Sequence, residues 1–313
     1  MKLYKLCICA LALAVGCSNP IKDENAKVIV EKGTDFSSDL TDGPEVKGVL
    51  AKDGDEDSKV FWVGSFDPHE DIDMEDKAVY ADEGLYWGRT NKISISIDKI
   101  IGDSIIGHSV VAGNNRPFHG KVRVLEGIQT FDVSEPGDDK YDGRFTFVIR
   151  DGVLEGEWEA FRAIDISKRM YKLEKQTYRY DPDIMLERSG RYGNWEKFIE
   201  GRGQDDWDYT EFEYASSTAK IYEINASNTV LEESDVENLV NSDLVVIRNT
   251  IYARHGYSFK NRPLRFFFDN QDWYIPVHAD IKSAFTEIEK KNIQLLLRYE
   301  KNAKEYYDYF GRG

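Results

Sequence analysis

Cysteine is almost missing from this chain of 313 residues: there are three, Cys7, Cys9 and Cys17, and none follows. If the first two leave with a cleaved leader, a single cysteine remains and no internal disulfide can form. Long apolar runs are also scarce. The uncharged stretch Leu6–Val15 is ten residues. As a helix it spans about 15 Å, half of a bilayer core of roughly 30 Å, so it is not a transmembrane anchor. Positive charge is in short supply, with 41 Lys and Arg against 57 Asp and Glu and a net charge of −16. Such a chain is repelled by nucleic acid, and no basic patch with interleaved aromatics offsets that. The motifs of common catalysts are missing too: there is no Ser-His-Asp spacing, glycine-rich phosphate loop or zinc-binding helix.

What is present begins at the start of the chain. Met1 to Lys5 is short and cationic, Leu6 to Val15 is apolar, and small residues lead to Cys17. This is the pattern of a secretory signal over residues 1–16. Leu13-Ala14-Val15-Gly16-Cys17 resembles the lipobox of bacterial lipoproteins, with Ala14 where the family usually has leucine. The resemblance implies cleavage before Cys17, a lipid on its sulfur and membrane attachment. An ordinary secretory signal cut nearby is the alternative. An unpaired thiol is a liability in an oxidising compartment, and acylation removes it. Ser18-Asn19 resembles the sorting signal of outer-membrane lipoproteins, and Lys22-Asp23-Glu24 resembles an acidic tag for surface export or a solvated linker. The expected location is therefore the cell envelope, on the periplasmic or the surface face of the outer membrane.

Residues 17–57 are polar, with Asp42-Gly43-Pro44 and Asp53-Gly54-Asp55-Glu56-Asp57, and read as a flexible tether. Residues 58–180 read as β. Lys92 to Asp98 alternates isoleucine with polar residues, and Asp151-Gly152 is a preferred hairpin turn. Further strands are expected at 59–66, 84–89, 104–111, 118–125, 127–133, 144–149, 153–161 and 170–179. Close strands with no intervening helix predict an antiparallel meander or barrel, faintly lipocalin-like. Residues 181–228 read as a connector ending in a strand at 219–224.

Residues 229–313 read as a small all-α domain, so the fold class is α+β. Ser234-Asp235-Val236-Glu237 has the form of a capping box. A second cap at Ser242 starts a helix whose face is Leu244, Ile247, Ile251 and Tyr252, ending at His255-Gly256. Phe285, Ile288, Asn292, Leu296 and Tyr299 mark the face of a last helix. The motif Tyr252-Ala253-Arg254-His255-Gly256, followed by Asp272-Trp273-Tyr274, Pro276 and Glu287 to Ile293, resembles the YARHG domain over about residues 229–302. That resemblance implies secretion and attachment to the envelope, with no established chemistry.

Each candidate site has two readings. Arg254 and His255 form a ligand site at a helix end, or Arg254 pairs with Asp269 or Asp272 while His255 caps carbonyls. Trp273 and Tyr274 form a sugar platform or a core. Asp98, His108, Arg116 and His119 are placed as the lining of a barrel mouth, with His108 inward. Two histidines without ligand spacing make a weak metal signal. The acidic runs Asp67/Asp71/Asp73 and Asp138/Asp139/Asp142 lack the calcium-loop pattern and read as solvated turns. No metal and no cofactor is expected. The leading expectation is a non-catalytic, lipid-anchored protein that binds a ligand, an envelope polymer or a protein partner. The alternatives are a hydrolase or metal-dependent enzyme using Asp98, His108 or His119, and a surface scaffold.

Overall fold

The computed structural model describes residues 59–81, 85–188, 190–200 and 212–306. The signal at 1–16, Cys17 and the tether at 17–57 lie outside the described residues.

Eight antiparallel strands close a barrel: β1 (Lys59–Pro68), β4 (Asn91–Ile101), β5 (Ser104–Val111), β6 (Asn114–Leu125), β7 (Ile128–Ser134), β8 (Gly143–Arg150), β9 (Val153–Ala160) and β10 (Lys168–Tyr178). Each strand from β4 to β9 pairs with the next in sequence, and β1 closes the ring between β10 and β4. The expected α+β fold with an N-terminal barrel is therefore the one observed. The turns explain the tight connectivity. Ala112-Gly113, Glu126-Gly127 and Asp151-Gly152 all have positive φ at both positions, as two-residue hairpins with primed turns require. The strand expected at 118–125 starts earlier, at Asn114, because the turn needs only Ala112 and Gly113. The strand expected at 84–89 is not part of the barrel. It is β3 (Leu85–Trp87), which pairs with β2 (Val79–Ala81) in a side hairpin between β1 and β4.

The period of two sorts every barrel residue to one face. Trp62, Phe66, Ile93, Ile95, Ile105, Phe118, Phe131, Phe145, Phe147, Leu154, Trp158, Tyr171 and Leu173 point inward and fill the barrel with a buried cluster. Phe131 stacks on Phe147 at 4.6 Å between ring centroids. Burying such side chains contributes roughly 2 kcal/mol each.

The connector folds with the helical region. Leu186 and Tyr192 enter the helical core, and β11 (Gly193–Glu200) pairs with β12 (Phe212–Ser216). The segment expected as a strand at 219–224 is a 3₁₀ helix, Ala219–Tyr222. Thr218 is the cause: its hydroxyl accepts the Lys220 amide, and Asp243 holds Thr218 through its N–H (2.6 Å) and its Oγ1 (2.8 Å).

The helices are α1 (Glu233–Val236), α2 (Asn241–Arg254), α3 (Arg262–Asp269) and α4 (Glu287–Tyr306). The capping box sits two residues earlier than expected, on Glu232, whose N–H donates to Asp235 at 2.7 Å. Helix α2 starts after Val240 rather than at Ser242. Nor is α2 amphipathic as expected: Leu244, Val246, Asn249, Thr250, Ala253 and Arg254 are all buried, so it is the central helix. Its polar members are satisfied locally, Asn249 donating to Val245 O and Thr250 to Val246 O.

Barrel and helices are joined through the outer face of the sheet. Phe61 and Val63 of β1 pack on Ile275 and Val277. The Lys92 N–H donates to Asp269 at 2.8 Å, and its ammonium donates to Gln271 O and Tyr274 O. The Gly113 N–H donates to Ser258 Oγ at 2.8 Å, and Tyr178 donates to Arg254 O at 3.1 Å.

Candidate functional site

The inward stripe of the barrel changes character at one end. Deep in the barrel it is aliphatic and aromatic. At the end bearing the 69–90, 112–113, 135–142 and 161–167 connections, the same inward phase carries Asn91, Arg116, Glu135 and Arg169. These residues open onto a cavity of about 640 Å3. Its floor is Phe66, Phe145 and Trp158, and it is walled by Ile164 and Ile166 and by Lys260, Arg262 and Arg265 from the start of α3 and the loop before it.

Glu135 is buried and accepts from Gly143 N (2.8 Å), Ser109 Oγ (3.2 Å) and Trp158 Nε1 (3.3 Å). Burial pushes its pKa up to about 7, against those bonds and nearby Arg116. Arg169 donates to Phe66 O at 2.7 Å and Arg89 O at 3.0 Å and lies over the Phe66 ring. Burial, with Arg89 and Arg265 nearby, brings its pKa down to about 9.

Of the residues singled out in the sequence, Arg116 lines this cavity. It is committed to Asp142 (2.9 Å) and Asp139 (3.0 Å). Asp142 is not a solvated turn residue: it is buried and also accepts the amides of Gly137 and Asp139. His108 does not point inward; it lies on the outer face, bonded to Asp98 at 3.0 Å and edge-on to Phe61. His119 is exposed on β6. Ser96 donates to the same Asp98 at 2.6 Å, so the carboxylate bridges serine and histidine. In a hydrolytic triad the histidine stands in the middle and takes the serine proton, and that arrangement is not formed here. Among the described residues no group of acidic, histidine and cysteine side chains is arranged to hold a metal ion.

The Tyr252–Gly256 motif is built into the fold. Arg254 does not pair with Asp269 or Asp272. Its Nε and Nη2 donate to Ile184 O, and its Nη1 donates to Ser227 Oγ, which ties α2 to the connector. His255 does not cap carbonyls; it meets Glu289 of α4 at 2.7 Å, with Tyr180 stacked on its ring at 4.3 Å and also bonded to Glu289. Ala253 is buried, Tyr252 stacks on Phe285 at 5.2 Å, and Gly256 has φ +65°. Tyr274 is buried and donates to Tyr257 O. Trp273 is half-buried and borders a smaller cavity of about 230 Å3 beside Arg254.

Residues 219–301 match the YARHG domain. No curated protein and no solved structure matches the chain. The YARHG domain thus begins at the 3₁₀ helix, within what the sequence reads as connector, and takes in α1 to α3 and most of α4. Its Lys260, Arg262 and Arg265 are the domain's contribution to the cavity, and none belongs to the name-giving motif.

Sequence reasoning missed Asn91, Glu135 and Arg169. The signal was there in the alternation. In Arg169-Met170-Tyr171-Lys172-Leu173 the arginine shares the phase of Tyr171 and Leu173, while Met170 falls on the outer face, where it is exposed. Glu135 likewise continues the phase of Phe131 and Val133, and Asn91 that of Ile93 and Ile95.

Proposed function

We propose that this chain is a lipid-anchored protein of the bacterial cell envelope that binds a small ligand at the barrel mouth without chemically altering it. The YARHG domain supplies one wall of the site. The observation that carries this reading is the cavity of about 640 Å3 with an aromatic floor and polar groups converging on it. Small-molecule sites have this size, roughly 300–1,000 Å3, and this mixture of lining. The anchor rests on the run ending in Leu13-Ala14-Val15-Gly16-Cys17. Two lipid chains on one cysteine suffice for stable attachment.

Two measurements test the two halves. A clickable palmitate analogue fed to cells should label the wild-type chain and not Cys17→Ser; equal labelling, or none, overturns the anchor. Protein purified from envelopes should release a small molecule on denaturation, detected by mass spectrometry. Ala163→Trp, which places an indole in the mouth, should release much less. No released molecule, or the same amount from the variant, overturns binding at this cavity.

A further inference from the structure

The cavity is cationic in an acidic chain. Arg89, Arg116, Lys140, Arg169, Lys260, Arg262 and Arg265 face it, against Glu135 and Asp165, in a protein of net charge −16. Two of these cations are already neutralised: Arg116 by Asp139 and Asp142, and Arg262 by Glu196 at 3.7 Å. Among the described residues Arg89, Arg169 and Arg265 have no carboxylate at ion-pair distance; Asp165, Asp67 and Asp269 respectively act on them only from further away. Arg89 donates to Lys77 O, Arg169 to Phe66 O and Arg89 O, and Arg265 to Lys260 O, all of them neutral carbonyls. The Arg265 Nε is buried with no acceptor among the described residues. Asn91, also buried and facing the cavity, has an Oδ1 with no donor among the described residues.

Gathering three guanidinium groups out of water with no carboxylate in contact is costly, because desolvation and mutual repulsion act together. The ring of Trp87 offsets part of this. Arg89, Arg262 and Arg265 lie over it at 5.5, 5.2 and 5.4 Å from its centroid. Desolvation first, with neighbouring arginines, holds the guanidinium pKa values of Arg89, Arg169 and Arg265 below the usual range, against the pull of Asp165, Asp67 and Asp269. Glu135 does not supply the missing charge. Its oxygens are turned to Gly143, Ser109 and Trp158, and burial favours its protonated form.

Taking the cavity as the binding site proposed above, we infer that its ligand is an oxyanion (carboxylate, sulfonate or phosphate) joined to an apolar body, with the anionic group beside Arg169 and Arg265 and the apolar part on Phe66, Phe145, Trp158 and Ile166. Guanidinium forks fit oxyanions in two-point hydrogen bonds. A hydroxyl or N–H next to the anionic group would give Asn91 Oδ1 its donor. A flanking cation on the α3 side, Lys260, raises the local concentration of such a ligand against the repulsion of the whole chain.

The test uses two dyes with the same aromatic framework and opposite charge logic: anilinonaphthalene sulfonate, which is anionic, and phenyl-naphthylamine, which is neutral. The full chain is titrated with each and fluorescence enhancement is followed. The sulfonate should bind at least about tenfold tighter, weaken with added sodium chloride and be displaced by decanoate at concentrations where decanol does not compete. Lys260→Gln/Arg265→Gln should lower sulfonate affinity about tenfold while leaving the neutral dye unchanged. An unaltered melting temperature would show that the variant is folded. Equal affinity for the two dyes, or a variant that loses both alike, overturns the anionic preference and leaves the cavity as a binding site. Binding of neither dye overturns both. Displacement by inorganic phosphate alone as effectively as by decanoate would show that the apolar body contributes nothing and overturns that part.

Discussion

At the scale of single residues, two groups have consequences that can be measured. Glu135 holds its proton up to about pH 7 in the folded chain, against an ordinary value of 4.5. Between those values the folded state binds the extra proton. Stability from this group is therefore complete below about pH 4.5 and falls as pH rises toward 7, by about 3 kcal/mol. Glu135→Gln cannot titrate, so the stability difference between wild type and variant should shrink or reverse by that amount over this window. Urea unfolding followed by tryptophan fluorescence at a series of pH values measures it, and a constant difference counts against the assignment. Gly256 is the second group. Its φ is +65°, and a β-carbon there would lie 2.3 Å from Val277 Cγ2 and 3.1 Å from Ile275 O. Gly256→Ala combines a left-handed conformation with a clash against the segment that covers Phe61 and Val63. A loss of about 2 kcal/mol or more is expected in the same unfolding assay.

At the scale of elements, α4 is held by polar groups as much as by its apolar face. Asn292 is fully buried; it donates to Ala226 O and Thr229 O and accepts from Leu231 N. Asn292→Ala strands two carbonyls and one N–H and should cost about 3 kcal/mol. The helices and barrel strands were legible because their cores repeat with the right period. Lys92 to Ile97 alternates, and Leu244, Ile247 and Ile251 recur three to four apart. What was not legible has specific causes. The 3₁₀ helix at Ala219 depends on Asp243 reaching back to Thr218, a partner 25 residues away in sequence. The outward turn of His108 followed from strand phase, but its neighbour Val110 is buried on that outer face and gave the opposite impression. The cavity was invisible because it joins residues from seven barrel strands and α3. Only the polar residues on the apolar phase, Asn91, Glu135 and Arg169, hinted at it, and reading them required knowing which ends of the strands meet.

At the scale of the whole molecule, the site belongs to neither domain alone, and this predicts how the chain unfolds. The barrel and its loops supply the floor and part of the cationic lining of the cavity, and the YARHG domain supplies Lys260, Arg262 and Arg265. The two are joined by an apolar contact, Phe61 and Val63 against Ile275 and Val277, and by hydrogen bonds from Lys92, Gly113 and Tyr178. Releasing the YARHG domain would expose the apolar patch and leave the carbonyls of Gln271 and Tyr274 without the Lys92 ammonium. At roughly 2 kcal/mol for each buried apolar side chain, that loss is comparable to the net stability of an ordinary domain. Neither part should then survive the other's unfolding. Scanning calorimetry of the full chain should give one transition whose van't Hoff and calorimetric enthalpies agree. Lys92→Met keeps the backbone bond to Asp269 and removes the ammonium, so it should lower that single transition without splitting it. Two resolved peaks, with only one moved by Lys92→Met, would mean that the domains are thermally independent and that the cavity wall is only loosely held.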